Sequence, residues 1–173
     1  EAANSIYNAA VMKEILGDAK GAIASFEKYV KAHGQKDAAE IWARIASLFV
    51  KMKDIASAER VWKQIIAKWG SSARAVEAHL KLGLEAQKRG KAKETENHFK
   101  QTVAKYKRLP EAARGKAASA TAWAARARFE EGEGLFAQYS KIKFMLPQKV
   151  LTRLIIEKGK LLKKVTEIFF DVL

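Results

Sequence analysis

Small and aromatic residues in the first two-thirds of this 173-residue chain recur at a nearly fixed spacing. Ala10 and Ala46, Ala22 and Ala58, and Phe26 and Trp62 stand 36 positions apart. Ile45 and Leu82, Ala46 and Gly83, and Trp62 and Phe99 stand 37 apart. Such a period accommodates two helices and a turn, a unit that cannot bury its own apolar face and must stack on copies of itself. The clearest unit lies between Ala38 and Gly70. Its first run carries Ile41/Trp42, Ile45, Leu48/Phe49 and Met52; its second carries Ile55, Ala58, Val61/Trp62, Ile65/Ile66 and Trp69. Both follow the i, i+3/i+4, i+7 rule of an amphipathic helix. Only Lys53-Asp54 separates them, which predicts an antiparallel hairpin with Asp54 capping the second helix.

On these residues the chain resembles the tetratricopeptide repeat (TPR) family. That pattern has an aromatic, a Leu-Gly-like pair and a second aromatic on helix A, then a small residue and an aromatic on helix B. The second unit matches through Trp42, Ile45-Ala46, Phe49, Ala58 and Trp62. The first matches through Ala9-Ala10, Gly17, Ala22, Phe26 and Tyr29, with Ile6 in the aromatic slot. The third matches through Leu82-Gly83, Gly90 and Phe99 and departs at His79, Ala86 and Thr95. The resemblance implies an all-α, right-handed α-solenoid of antiparallel helix hairpins, about nine helices in all with a long C-terminal one. Its expected organisation is three repeats over residues 1–109 (about 2–34, 38–70 and 72–107), a degenerate fourth hairpin over 110–146, and a C-terminal helix over 147–173.

Turn chemistry sets the expected boundaries. Gly17 and Gly90 suit the left-handed residue that ends a helix, Asp18 an N-cap, and Ser71/Ser72 the N-cap after Gly70. Residues 35–37 read as a turn between units, and Pro110 suits the first turn of a new helix. That helix is expected to reach about Glu131, with an alanine-rich stretch from Ala117 to Ala127 around Trp123. EEGEG (130–134) is expected to break it, and a short helix to follow over 135–144. From Pro147 an apolar stripe runs through Val150/Leu151, Leu154/Ile155, Leu161/Leu162, Val165 and Ile168/Phe169. A stripe of this size needs a cover. It reads as a cap on the stack, as half of a truncated repeat, or as a self-association surface, with a monomer favoured.

The formal net charge is +14, and the excess is densest in the second and third units, where residues 38–74 hold three acids and seven bases and 75–109 hold four and nine. Such a field favours acidic partners, although a solvated lysine face is the plainer account. With no cysteine there is neither a disulfide framework nor a thiolate metal site. Of the three histidines, His79 and His98 can meet within one hairpin, but a pair without a third ligand is poor for zinc. Gly90-Lys91 and Gly115-Lys116 lack phosphate-loop spacing. Carboxylates such as Glu94/Glu96 sit where helix ends suit them. No catalytic constellation emerges, so a non-enzyme without cofactor or metal is expected. No run of 18 apolar residues is present. The chain opens at Glu1 rather than methionine, which reads as a processed or excised fragment.

The resemblance implies a concave face lined by the A helices. Carried over residue by residue, its partner-contacting positions become Tyr7, Asn8 and Val11, then Arg44, Ser47 and Lys51, then Leu80, Lys81, Leu84 and Lys88. Tyr7 and Val11 replace the lysine and asparagine with which some members grip a chaperone tail, so that ligand is not expected. Tyr7, Val11, Leu80 and Leu84 would form an apolar floor, and Arg44, Lys51, Lys81 and Lys88 a basic stripe. The expected function is a scaffold binding a protein or peptide, acidic and partly apolar. A weaker likeness to TPR proteins of bacterial envelope and gliding-motility assemblies implies a bacterial, periplasmic setting, with the cytoplasm as the alternative. Two other readings stand beside it. One is RNA binding by a basic repeat, against which Trp42, Trp62 and Trp69 fall at core positions, leaving few rings for bases. The other is attachment to an anionic membrane or cell-wall polymer through Lys149, Arg153, Lys160, Lys163 and Lys164.

Overall fold

The computed structural model describes residues 2–33, 37–111 and 118–171. They form eight helices, and no strand occurs among the described residues: α1 (Ala2–Ile15), α2 (Ala19–His33), α3 (Ala38–Lys51), α4 (Ile55–Lys68), α5 (Ala73–Lys88), α6 (Ala92–Arg108), α7 (Ala118–Lys141) and α8 (Gln148–Phe170). Each helix packs on its successor, and α5 also touches α3 and α7. The result is an all-α helical-repeat solenoid. The turn expected over 35–37 falls largely outside the described residues, as does 112–117, through which the helix expected from Pro110 would pass.

Three hairpin turns are built alike. At the first, the Gly17 N–H donates to Glu14 O (3.1 Å) and the Asp18 N–H to Lys13 O (2.9 Å). At the second, Lys53 donates to Val50 O (2.9 Å) and Asp54 to Phe49 O (2.9 Å). At the third, Gly90 donates to Gln87 O (3.0 Å) and Lys91 to Ala86 O (3.0 Å). This is the Schellman closure, which satisfies carbonyls that a helix end leaves free and needs a left-handed residue at its centre. Gly17 (φ 82°) and Gly90 (φ 70°) supply it readily, whereas Lys53 adopts it at φ 63°.

The next residue should cap helix B. Asp18 accepts from the Gly21 N–H (2.9 Å) and Asp54 from the Ser57 N–H (3.0 Å). In the third hairpin that place is held by Lys91, which makes no side-chain cap and instead reaches Glu94 (3.0 Å). An exposed pair of this kind contributes little, while a missing cap costs about 1 kcal/mol. Lys91→Asp should therefore stabilise the protein by ~1 kcal/mol, raising the melting temperature by about 2–4 °C. Thermal unfolding followed by circular dichroism measures it, and an unchanged or lower midpoint would refute the capping argument.

The periodic positions build the core. Ala10, Ala22, Phe26, Ala46, Ala58, Trp62 and Phe99 are all buried. Phe26 and Trp62 share one buried cluster with Ala10 and Ala46, and in the third hairpin Phe99 lies directly against Gly83. There a Cβ placed on Gly83 would come within 2.6 Å of the Phe99 ring. The main apolar cluster spans α1 to α5, and two smaller clusters join α5 and α6 to α7 through Val76, Leu109, Ala120 and through Leu80, Phe99, Ala127.

The C-terminal third corrects one expectation. EEGEG does not break the helix: α7 runs unbroken from Ala118 to Lys141, replacing the expected long and short helices. Glycine inside a helix costs about 1 kcal/mol relative to alanine. At Gly132 that cost has a return, because a Cβ there would lie 2.7 Å from the Phe169 ring. Tertiary packing of α8 on α7 keeps the glycine helical. α8 follows Pro147 and lies along α7, burying Val165 and Ile168. Phe129 and Phe169 meet at 5.8 Å between centroids, and Arg128 joins the two helices through Glu131 and Asp171.

Candidate functional site

The helices α1, α3 and α5 line up a ladder of charges that runs across them rather than along any one. Glu14 of α1 accepts from Arg44 Nε (2.6 Å) and from Lys51 Nζ (2.9 Å), both on α3. Burial works to raise the Glu14 carboxyl, but the hydrogen bonds from Lys51 and Arg44 outweigh it and hold it below the usual carboxylate range. Glu40 of α3 accepts from Arg74 Nε of α5 (2.6 Å), whose Nη1 also donates to Glu77 (2.6 Å). The Arg74 guanidinium lies 5.4 Å from the Trp123 ring centroid, which extends the ladder to α7. Arg44 likewise covers an aromatic pair, 5.1 Å from Phe26 and 6.0 Å from Tyr7, and donates to the Tyr7 hydroxyl (3.1 Å).

Between these two rungs opens a cleft of about 300 Å³ lined by Tyr7, Glu40, Ile41, Ala43, Arg44, Ser47 and Arg74. Of the ten residues expected from the sequence, Tyr7, Arg44 and Ser47 line it. Lys51 sits at its edge through Glu14, and Asn8 is exposed on α1. Ser47 Oγ donates to Ala43 O (3.1 Å). Lys81 and Lys88 are exposed on α5, Lys88 paired with Glu85 (2.6 Å).

The apolar floor is not there. Leu80 is only 4% exposed and packs with Phe99 and Ala127, with Leu84 partly buried against the same cluster. Val11 and Tyr7 pack against the main core. Leu80, Leu84 and Val11 hold neighbouring helices together, whereas Tyr7 packs on the core and also lines the cleft. Of the basic stripe, Arg44 and Lys51 share Glu14, Lys88 pairs with Glu85, and Lys81 is exposed on α5. The cleft is amphoteric, with Arg44 and Arg74 its cations and Glu40 its exposed acid. Glu14, Arg74 and Trp123 were not among the expected site residues. The recurrence of Glu40 at Glu77 is the sequence signal for the second rung, whereas nothing local marks Glu14.

On the other side of α5, His79 and His98 of α6 meet at 3.2 Å between their Nδ1 atoms. At this distance one ring nitrogen donates and the other accepts. Burial, then the neighbouring His98 and Lys105, push His79 down to about 4; burial lowers His98 too. Beside them Glu59, Lys63, Arg89, Lys91 and Glu94 line a second cleft of about 220 Å³. Among the described residues, no group of three or more His, Asp or Glu is placed to hold a metal ion.

Fold and face together define an all-α helical-repeat array with a polar cleft across α1, α3 and α5. No protein-family model matches the chain, and no curated protein matches it. Among solved structures the chain is similar to the crystal structure of MamA protein, at 16% identity and a TM-score of 0.48, over 100% of this chain and 91% of that one.

Proposed function

We propose that this chain is a non-enzymatic scaffold that binds a protein or peptide segment across α1, α3 and α5. The observation that carries the reading is the cleft lined by Arg44 and Arg74, two guanidiniums held over aromatic rings. A planar guanidinium fixed in this way can accept a carboxylate with two parallel hydrogen bonds, at the cost of exchanging its present partner Glu14 or Glu40. An acidic segment suits that exchange, and the excess of lysine on the second and third units would speed its arrival. The likeness to TPR proteins of bacterial envelope assemblies supports a place in such a complex, with the periplasm as its setting.

The test begins with a photo-reactive residue at Ser47, which identifies the segment that crosses the cleft. Affinity of that purified partner is then compared between the wild type and Arg44→Gln/Lys81→Glu. A loss of about tenfold or more is expected for a charge pair made in the complex. Equal affinity, with both proteins folded by circular dichroism, would exclude the cleft as the binding site.

A further inference from the structure

Three consecutive exposed apolar residues lie at the tip of the last hairpin. Phe144, Met145 and Leu146 are 55%, 61% and 79% exposed. The loop that carries them is not loose. Lys158 of α8 donates to Ile142 O (3.1 Å), and its ammonium lies 4.5 Å from the Tyr139 ring centroid and 5.2 Å from that of Phe144. One buried-side cation thus fastens the loop to α8 while leaving three large side chains in water.

The outer face of α8 continues from this tip. At 3.6 residues per turn, Lys149, Arg153, Ile156, Lys160 and Lys164 fall in one sector, about a third of a turn round from that of Leu154, Leu161, Val165 and Ile168. Ile156 is exposed within the stripe. Between residues 141 and 164 the sequence has eight basic residues and one acid, Glu157. Lys141, Lys143, Lys149, Arg153 and Lys160 make no ion pair among the described residues; Lys163 reaches Glu167 only at 3.9 Å, and Lys164 acts on Glu96. The stripe therefore differs from the cleft face, where most cations are already matched by acids.

We propose that this end of the protein is a peripheral docking surface for an anionic lipid bilayer. Phe144, Met145 and Leu146 enter the headgroup boundary, and the α8 stripe lies against the negative surface. The combination is what such contacts require: apolar side chains for insertion and several unmatched cations around them, since neither alone holds a protein on a membrane. A nucleic acid would use the cations but leave the apolar tip without a role. A second copy would cover the tip but bring two like-charged stripes together. Among the described residues no helix is long and apolar enough to cross a membrane, so the contact is with the surface. This surface is separate from the proposed partner cleft, and either stands without the other.

Because the chain has no cysteine, Met145→Cys allows a single environment-sensitive fluorophore to be placed at the tip. Vesicles of phosphatidylcholine with about a third phosphatidylserine should shift its emission to the blue and co-sediment the full chain. Pure phosphatidylcholine should do neither. Lys149→Glu/Arg153→Glu/Lys160→Glu should weaken binding by more than a hundredfold, at about fivefold or more per charge removed and again per charge reversed. Met145→Ser/Leu146→Ser should weaken it by at least about tenfold, with an unchanged melting temperature because both side chains are exposed. The proposal is overturned if the vesicles that contain phosphatidylserine fail to bind the full chain. It is equally overturned if the tip variant binds as well as the wild type, or if the tip variant instead abolishes a concentration-dependent dimer in sedimentation. Binding of single-stranded RNA that is lost with the charge variant alone, without vesicle binding, would reassign the stripe to nucleic acid.

Discussion

Gly83→Val should cost the protein about 3 kcal/mol or more, with the loss concentrated in α5 and α6. The helix itself would welcome the change, because glycine in a helix interior is the poorer former by about 0.5 kcal/mol or more. What opposes it is the ring of Phe99. A Cβ at Gly83 meets two atoms of that ring at 2.6 and 2.7 Å and His98 Cβ at 3.2 Å. Phe99 is buried to 1% exposure against Leu80 and Ala127, so it has no space into which to retreat. Overpacking of this kind costs about 1–3 kcal/mol for modest intrusions, and a branched side chain intrudes further.

The corresponding positions in the first two hairpins are Ala10 and Ala46, in one buried cluster with Phe26 and Trp62. Gly83→Ala is therefore the discriminating variant: it should lose about 1–2 kcal/mol although alanine is what the other hairpins use. Guanidinium unfolding gives the total, and amide exchange locates it in α5 and α6. Gly83→Ala/Phe99→Leu should recover most of the loss, since the pair are in direct contact and couple. A Gly83→Ala protein more stable than the wild type would mean that the close approach exerts no constraint.

That contact also shows what a sequence of this kind discloses. The period of 36 or 37 fixes which small residue faces which ring, because the hairpin geometry repeats and the pairing lies within about 20 residues. The turns were readable for the same reason: glycine at 17 and 90 and aspartate at 18 and 54 act on backbone groups only three to five residues away. Lys53 in the left-handed region shows that the register can override a residue's own preference. The cleft was less legible. Its ion pairs join residues 30, 34 and 37 apart, and which acid meets which cation depends on the offset between successive units. The place of Leu80 on α5 matches a contact position of the repeat pattern that the sequence resembles. Whether that place faces a ligand or the next helix is decided by α7, whose alanine-rich surface packs down on it. The glycines of 130–134 misled for the converse reason, since local propensity marks a break while the packing of Phe169 supplies the tertiary contact that keeps α7 whole.

Lowering the pH from 7 to 5 should remove about 2 kcal/mol of stability, well before the carboxylates titrate. The source is His79, which is buried, faces His98 across 3.2 Å and has Lys105 nearby. Its proton affinity is depressed in the folded protein, to about 4, from about 6.5 in the unfolded chain. Between those values the unfolded state binds the proton and the folded state does not, so stability is fully present above pH 6.5 and falls as the pH drops toward 4. The full difference amounts to about 3 kcal/mol. His98 moves in the same direction through its own burial and Lys63, with Glu94 and Glu59 acting against it. Glu14, Glu94 and Glu96 are depressed carboxylates whose contributions disappear only at lower pH, so the two effects separate on the pH axis. His79→Phe places an aromatic where the second hairpin has Trp42 and removes the more strongly depressed histidine; its unfolding midpoint should fall clearly less than that of the wild type from pH 7 to 5, His98 supplying the remainder. A wild-type midpoint flat over that range, or a His79 ring that titrates near 6.5 by NMR, would show that the histidine pair is not held neutral by the fold.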